Sequence, residues 1–492
     1  MPLDLSPRDS LGASEPVSTR IQKASVPLYA NRIKVYPKAV DGTFRRIKWA
    51  ILAFCLAAYY LVPWIRWDRG PGAPDQAVLL DLPGRRAYFF MIEIWPQEVY
   101  FLTGLLILAA FGLFLVTSLF GRVWCGYACP QTVWTDLFMW VERLIEGDRN
   151  ARMKLDQQPF SWAKAWKKTA KHTAWLVIAA ATGGAWVFYF IDAPTALKEI
   201  FTGQSSITVY FFIALFTTTT YLLAGWAREQ VCTYMCPWPR IQAAMLDENS
   251  LVVTYQAWRG EPRGKHKAGA SWDGRGDCID CRQCVAVCPT GIDIRDGQQM
   301  ECIGCSLCID ACNAVMDKVG RPRDLITLAT LASQEARASG KPAAYRLLRP
   351  RTVLYTALLA AIAAVMVGAL LLRSTVEMSV QRDRAPLFVT LSDGSIRNGY
   401  TLKILNKTRA DRSYVLTLSG VASATPSVVG HEDDAGDVVL TTKADSVATY
   451  RVYVTAPAGT IKSDSTPLVF TLRAREAQDG TEYQSIFMGP PR

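Results

Sequence analysis

The sequence predicts a membrane protein of three parts: five transmembrane α-helices, a cysteine-rich insert between the last two, and a C-terminal β-sandwich. Three observations predict it. Five apolar windows approach or reach the roughly 20 residues that a bilayer crossing needs. Two cysteine runs of the same spacing lie between the fourth and fifth windows. The last 119 residues break into short strand-like runs divided by turn signals.

Composition sets the outer bounds. Of 492 residues, half are apolar and only a fifth are charged. That is lean in charge for a soluble chain of this length. The 15 Trp, 19 Tyr and 19 Phe give ample surface to bury and exclude a disordered chain. The length excludes a disulfide-stapled mini-protein. All 13 cysteines fall between Cys55 and Cys312, and the 180 residues after Cys312 have none.

The predicted spans are Trp49–Ile65, Val99–Phe120, Thr173–Ile191, Ile207–Ala227 and Thr352–Leu372. Arg351 and Arg373 bound the last, with no charge between them. Basic residues crowd the loops on one side: Arg32, Lys34, Lys38, Arg45, Arg46 and Lys48 before the first span, and nine Lys or Arg between the second and third. Only Lys198 lies between the third and fourth. The positive-inside rule then places the N-terminus in the cytoplasm and everything after Arg373 outside. The net charge of +11 reflects this topology and speaks against nucleic acid as a partner. The first 47 residues are polar and lack the apolar core of a cleavable signal peptide. The expected divisions are a cytoplasmic segment 1–47, spans one to four in 48–255, a cytoplasmic insert 256–350, the fifth span 351–373 and an external domain 374–492.

The insert reads Cys278-x2-Cys281-x2-Cys284-x3-Cys288-Pro289 and then Cys302-x2-Cys305-x2-Cys308-x3-Cys312-Asn313. This is the bacterial-type 2[4Fe-4S] ferredoxin spacing, twice over. Three cysteines on short loops wrap one cubane, and the fourth ligand comes from the other run. The expected sets are Cys278, Cys281, Cys284 and Cys312 for one cluster, and Cys302, Cys305, Cys308 and Cys288 for the other. Structural zinc needs no crossed double run. Asn313 stands where a proline is usual, which leaves the ligands untouched. Arg259–Asp277, rich in Gly, Lys and Arg, reads as a flexible tether.

Spans two and four run into matching motifs, Cys125-Gly126-Tyr127-Ala128-Cys129-Pro130 and Cys232-Thr233-Tyr234-Met235-Cys236-Pro237. They sit 107 residues apart, so spans one–two and three–four read as a duplicated hairpin. On a continuing helix each Cys-x3-Cys pair shows both sulfurs on one face. Cys125, Cys129, Cys232 and Cys236 are therefore candidate catalytic and metal-ligating residues at the cytoplasmic membrane face, able to hold copper or a third cluster, with plain packing as the alternative. Cys55, alone inside the first span, reads as packing. Haem is excluded by counting: His172, His266 and His431 cannot supply two axial ligands at membrane depth.

The external domain shows runs at Leu387–Leu391, Tyr400–Leu405, Tyr414–Leu418, Val438–Thr441, Thr449–Val454 and Leu468–Leu472. Roughly seven strands at this spacing predict an immunoglobulin-like β-sandwich. Glu432-Asp433-Asp434 after His431 reads as a solvated turn.

The chain resembles the accessory proteins of cbb3-type cytochrome oxidase, the CcoG/FixG/RdxA family. The resemblance is carried by Val35-Tyr36-Pro37, Gly42-x-Phe44-Arg45-Arg46, Ile94-Trp95-Pro96-Gln97, the block from Gly121 to Asp136, Glu146-Gly147-Asp148-Arg149, Cys232-x3-Cys236-Pro237 and the ferredoxin insert. It implies a bacterial inner-membrane protein with two [4Fe-4S] clusters that reduces Cu(II) to Cu(I) during oxidase assembly. The implied partners are oxidase assembly factors or copper carriers, a cytoplasmic electron donor, membrane lipid and a second copy of the chain. Two other readings stand beside this one, a quinol-linked electron-transfer subunit and a non-enzymatic assembly scaffold.

Overall fold

The computed structural model describes residues 34–490, apart from 71, 267–268, 270, 343–344, 431–437, 462 and 476–478. The His431 turn with Glu432, Asp433 and Asp434 thus lies outside the described residues. The chain divides into two compact units. The first runs up to Leu61 and includes Leu113–Val187 and Glu199–Thr352; the second is Val62–Gly112, Phe188–Lys198 and Val353–Arg492.

Among the described residues, four helices are long and apolar enough to cross a membrane: Thr43–Trp64, Pro96–Phe120, Ile207–Ala227 and Pro350–Leu371. The expected count of five is not reproduced. The third window falls on the 26-residue helix Trp162–Val187, whose first turns carry Lys164, Lys167, Lys168 and Lys171. Its uncharged remainder would cover only about 22 Å at 1.5 Å per residue, against a hydrocarbon core of about 30 Å.

In the first unit, Trp162–Val187 packs closely on Ile207–Thr220. Gly183 permits it, because a Cβ there would sit 2.7 Å from the Ile213 carbonyl. Phe138, Trp175, Ala179 and Ala224 form the core between these helices and Pro130–Glu146. Gly147, at φ 90°, ends the last helix in a conformation that favours glycine.

The ferredoxin insert folds around the helices Gln283–Val287 and Leu307–Lys318, flanked by the antiparallel pair Val252–Tyr255 and Ile326–Ala329. Its expected tether is not a free linker. Asp277, nearly fully buried, takes Arg259 at 2.8 Å, and Gly264 donates to the Cys278 carbonyl. The insert is fixed to the first span through Asp310. Its carboxylate accepts from the Phe44 and Arg45 amides, at 3.2 and 2.8 Å, and so caps the start of Thr43–Leu61. A side chain at Gly42 would collide with that carboxylate, which explains the glycine in this motif.

In the second unit, the described residues of 376–488 form nine strands in two sheets. One sheet orders Thr425–Val428, Ser446–Ala456, Ile396–Asn406 and Val376–Arg382, with Val389–Thr390 paired to Ile396–Asn406. The other orders Val438–Thr442, Arg412–Ser419, Ser465–Ala474 and Gly480–Met488. Tyr400, Leu402 and Ile404 alternate inward and meet Leu416, Val452, Phe470 and Phe487 in a core without cysteine. Three strands beyond the six expected runs, Val376–Arg382, Thr425–Val428 and Gly480–Met488, carry charged or polar outward residues that mask their alternation.

The segment between the first two spans adds a three-stranded sheet, Val78–Asp81, Arg86–Phe89 and Ile92–Ile94. Arg86 pairs with Asp445 of the sandwich, and its guanidinium lies 3.9 Å from the Trp95 ring centre. Glu98 receives Arg373 and Lys407, each at 2.7 Å. These contacts tie sheet, last span and sandwich into one unit.

Candidate functional site

All the cysteines of interest lie in the first unit. The two ferredoxin runs are brought close together. The Cys312 thiol lies in the field of Cys284, Cys281 and Cys278, and the Cys308 thiol in that of Cys305, Cys302 and Cys288. Burial pushes Cys284, Cys302 and Cys312 up to about 12. The loops turn tightly through Asp280, Arg282, Gly304 and Ser306, all at positive φ. Backbone N–H groups of Val285, Gly304, Leu307 and Ile326 reach cysteine sulfurs.

Among the described residues, no three His, Cys, Asp or Glu side chains converge on a point suited to one metal ion. A [4Fe-4S] cluster needs its cysteines spread around a cubane. The crossed double run and its spacing fit [4Fe-4S] clusters.

The cysteines of the second set lie in one another's electrostatic field without converging on one metal point. Cys125 feels Cys129, Cys232 and Cys236, and burial, ahead of these neighbours, raises both Cys125 and Cys232 to about 12. A cation bound here must displace protons. Cys236 is exposed, while Cys125, Cys129 and Cys232 are half-buried.

The local backbone differs from the expected continuing helix. Trp124–Ala128 and Val231–Met235 are single π-turns, closed by Cys129 N–H to Trp124 O at 2.9 Å and Cys236 N–H to Val231 O at 2.8 Å. Each then leaves the helix at the second cysteine, whose ψ is 129° or 122°. Pro130 and Pro237 impose this, because the residue before a proline is pushed to extended backbone. Turns of this kind gather at functional sites.

The backbone of the first motif lies directly against the ferredoxin insert. A Cβ on Gly126 would sit 2.9 Å from the Cys305 Cα, the Cys305 N and the Gly304 C. Tyr127, 6 % exposed, donates to the Cys305 carbonyl at 3.2 Å, whereas its counterpart Tyr234 is 75 % exposed. Arg122 donates to the Met300, Cys302 and Pro239 carbonyls. Cys125 and Cys232 pack against the Ile303, Cys305 and Leu307 core. Cys125 also donates to Gln242 at 3.1 Å, and Gln242 donates on to Thr117.

Sequence reasoning missed the charged residues that brace this site. Lys48, 2 % exposed, lies 3.9 Å from Asp136 and in the fields of Cys232 and Cys305. Arg45 meets Asp136 with two bonds of 3.0 and 2.8 Å. Burial opposes ionisation of Asp136, but Lys48 and Arg45 hold its carboxyl below its ordinary range. Glu142 is held the same way by Arg228, Arg152 and Lys171. The signal was available: Asp136 closes the long motif block, and Glu142 lies on the same helix two turns later. Cys55 lies within the first span and is partly buried.

Comparison with known proteins adds three domain matches: a 4Fe-4S dicluster domain at 227–330, a 4Fe-4S binding domain at 102–147, and the Ig-like fold at the C-terminus of FixG at 366–490. The chain is 53 % identical over 462 residues to the nitrogen fixation protein FixG of Rhizobium meliloti, covering 88 % of each chain. It is 53 % identical over 438 residues to the protein RdxA of Cereibacter sphaeroides, covering 88 % of this chain and 92 % of that one. The chain belongs to the FixG/RdxA family. A crystal structure of a FixG-related protein from Vibrio parahaemolyticus aligns with 23 % of this chain and 96 % of its own, at 24 % identity and TM-score 0.21. This FixG/RdxA member is a membrane iron–sulfur redox protein.

Proposed function

We propose that this FixG/RdxA protein reduces cupric ion to the cuprous state at Cys125, Cys129, Cys232 and Cys236, on the cytoplasmic side of a bacterial inner membrane, in the service of cbb3-type oxidase assembly. The observation that carries the reading is the packing of Cys125 and Cys232 against Ile303, Cys305 and Leu307, a cluster-binding loop. When bound, the two [4Fe-4S] clusters supply single electrons. Cys278, Cys281, Cys284 and Cys312 would hold one, and Cys302, Cys305, Cys308 and Cys288 the other.

The chain's own residues supply the rest. Cysteine thiolates are soft donors and favour Cu(I), the product. Exposed Cys236 is the member that an arriving ion meets first. Lys48 and Arg122 offset the negative charge that thiolates gather beside the loop. Tyr127 and Gly126 hold the first motif against Cys305. The basic loops support the cytoplasmic placement of the insert and an external sandwich. Copper carriers and assembly factors are the partners this reading requires, with a cytoplasmic electron donor.

The test changes all four quartet cysteines to Ser in membranes. Iron should stay at about eight per chain, as two clusters require, while Cu(I) captured by a cuprous-specific chelator falls to background. Full reduction at full iron content would overturn the assignment.

A further inference from the structure

One buried side chain beside the quartet is polar where an apolar one would pack. Gln242 is 1 % exposed and is the buried residue of the helix Trp238–Met245, while Ile241 next to it is 39 % exposed. Burying an amide costs free energy unless both of its ends are bonded. Here both are. Cys125 Sγ–H donates to Gln242 Oε1 at 3.1 Å, and Gln242 Nε2 donates to Thr117 Oγ1 at 3.2 Å. Thr117 is itself fully buried.

The helix that carries this amide is fixed at three points. Trp238 stacks on Phe114 at 6.3 Å, Arg122 donates to the Pro239 carbonyl at 2.8 Å, and Gln242 reaches Thr117. Its placement follows from the duplicated motifs. Gln242 lies six residues past Cys236, the second cysteine of the second motif, yet it serves Cys125, the first cysteine of the first. Thr135 lies six residues past Cys129 and lines the crevice of Cys232. Each motif thus leans on the helix that follows the other. The exchange gives unlike surroundings: Cys125 has an amide bonded to it, and Cys232 has the Lys48 ammonium in its crevice.

The series Cys125–Gln242–Thr117 is reversible. As a thiol, Cys125 has one hydrogen to give, and the amide oxygen takes it. A sulfur bound to a metal ion has none and only accepts. A half-turn of the amide about its last bond then points Nε2 at the sulfur and Oε1 at Thr117, whose hydroxyl serves equally as donor or acceptor. Both bonds are remade, and neither end of the buried amide loses its partner. Methionine has about the same length and offers no N–H. Orienting partners of this kind tune both the affinity of a metal site and the electronic character of its ligating sulfur.

We propose that Gln242 is a positioning residue of the quartet: it holds Cys125 in place as a thiol and, once the sulfur has ligated a copper ion, turns its amide to donate to it. In the binding step the S–H bond breaks, an S–Cu bond forms, the proton goes to water, and no electron moves. The role rests on the reading of the quartet as the copper site.

The experiment uses the full chain purified anaerobically in detergent with its iron. Cu(I) affinity is measured by competition with a cuprous-specific chelator. Co(II) bound in place of copper is read by its sulfur-to-metal charge-transfer band in difference spectra. Gln242→Met should weaken Cu(I) binding about 10- to 100-fold, as loss of an orienting partner does. It should also move the cobalt band to lower energy, because the hydrogen bond that steadies the sulfur electrons is gone. Iron content and the hydrogen–deuterium exchange protection of Trp238–Met245 should stay at the parent values. Parent-like affinity with an unmoved band would overturn the role. So would weaker affinity with an unmoved band and a deprotected helix, which marks Gln242 as a tether of that helix and nothing more. The four-serine variant separates this role from the reading beneath it. If that variant loses Cu(I) while Gln242→Met keeps it, the quartet stands and the positioning role fails. If it binds Cu(I) like the parent, the copper site lies elsewhere and both fail.

Discussion

Gly126→Ala isolates the contact between the first cysteine motif and the Cys302–Cys308 loop. The new Cβ would lie 2.9 Å from three backbone atoms, the Cys305 Cα, the Cys305 N and the Gly304 C. Ordinary carbon contacts sit at about 3.5–4.0 Å, so the two backbones must part by roughly 0.6–1.1 Å. Neither can yield cheaply. The loop is held by Arg122 on the Cys302 carbonyl and by Tyr127 on the Cys305 carbonyl, and Gly304 is fixed at φ 70°. Overpacking of this kind costs about 1–3 kcal/mol, which is roughly a 5- to 160-fold loss of the docked state. Hydrogen–deuterium exchange of the purified protein reads it directly: amides from Cys302 to Leu307 should exchange faster by that factor. Thr233 occupies the equivalent place in the second motif and already carries a side chain there, bonded to the Glu229 carbonyl at 2.9 Å. Thr233→Ala should leave the loop's protection alone. If Gly126→Ala exchanges like the parent chain across Cys302–Leu307, the docking argument is wrong.

Asp136→Asn strands Arg45 and Lys48 as buried uncompensated cations; thermal unfolding in detergent should show a loss of about 3–5 kcal/mol. Glu142 predicts a pH dependence. Burial raises its carboxyl, but Arg228, Arg152 and Lys171 bring the folded value below the ordinary 4.5. Its stabilisation is therefore complete above pH 4.5 and is lost as pH falls through the folded value; Glu142→Gln should flatten the acid limb of a stability–pH curve. Lys407→Met leaves Glu98 with Arg373 alone and Glu377 unpaired from it, so strand Val376–Arg382 should lose about 1–3 kcal/mol of exchange protection while the ferredoxin insert is unaffected.

The parts legible in the sequence were those set by local pattern. Ligand spacing gave the iron–sulfur character of the insert, because a cubane dictates how three near cysteines must stand, and the 4Fe-4S domain matches agree. Strand alternation gave the sandwich wherever outward residues were polar and inward ones large, as from Tyr400 to Leu405. Patterns broken by a local exception were read incompletely. The π-turns at Trp124–Ala128 and Val231–Met235 were foreshadowed only by the prolines that follow them, and a Cys-x3-Cys count alone suggested a continuing helix. Long-range contacts left no pattern at all. Asp310 lies between two cluster cysteines and looks like a ferredoxin residue, yet it caps the first span 266 positions away from Phe44. Lys48 reads as a flanking charge of that span, yet it is buried beside Asp136.

Duplication in the sequence does not give duplicated surroundings. Both hairpin motifs touch one ferredoxin insert, and the glycine marks the one whose backbone lies closest against it. Gly126 and buried Tyr127 lie against Cys305, while Thr233, exposed Tyr234 and exposed Cys236 have no counterpart contact there. The quartet is therefore polar in the sense of direction. Cys125 and Cys232 pack against the Cys305 core, while Cys236 ends at solvent. Under the proposed cupric reduction the quartet takes a metal ion from one side and electrons from the other, which needs two unlike halves. Divergence of the two motifs at Gly126 and Thr233 is the substitution that provides them.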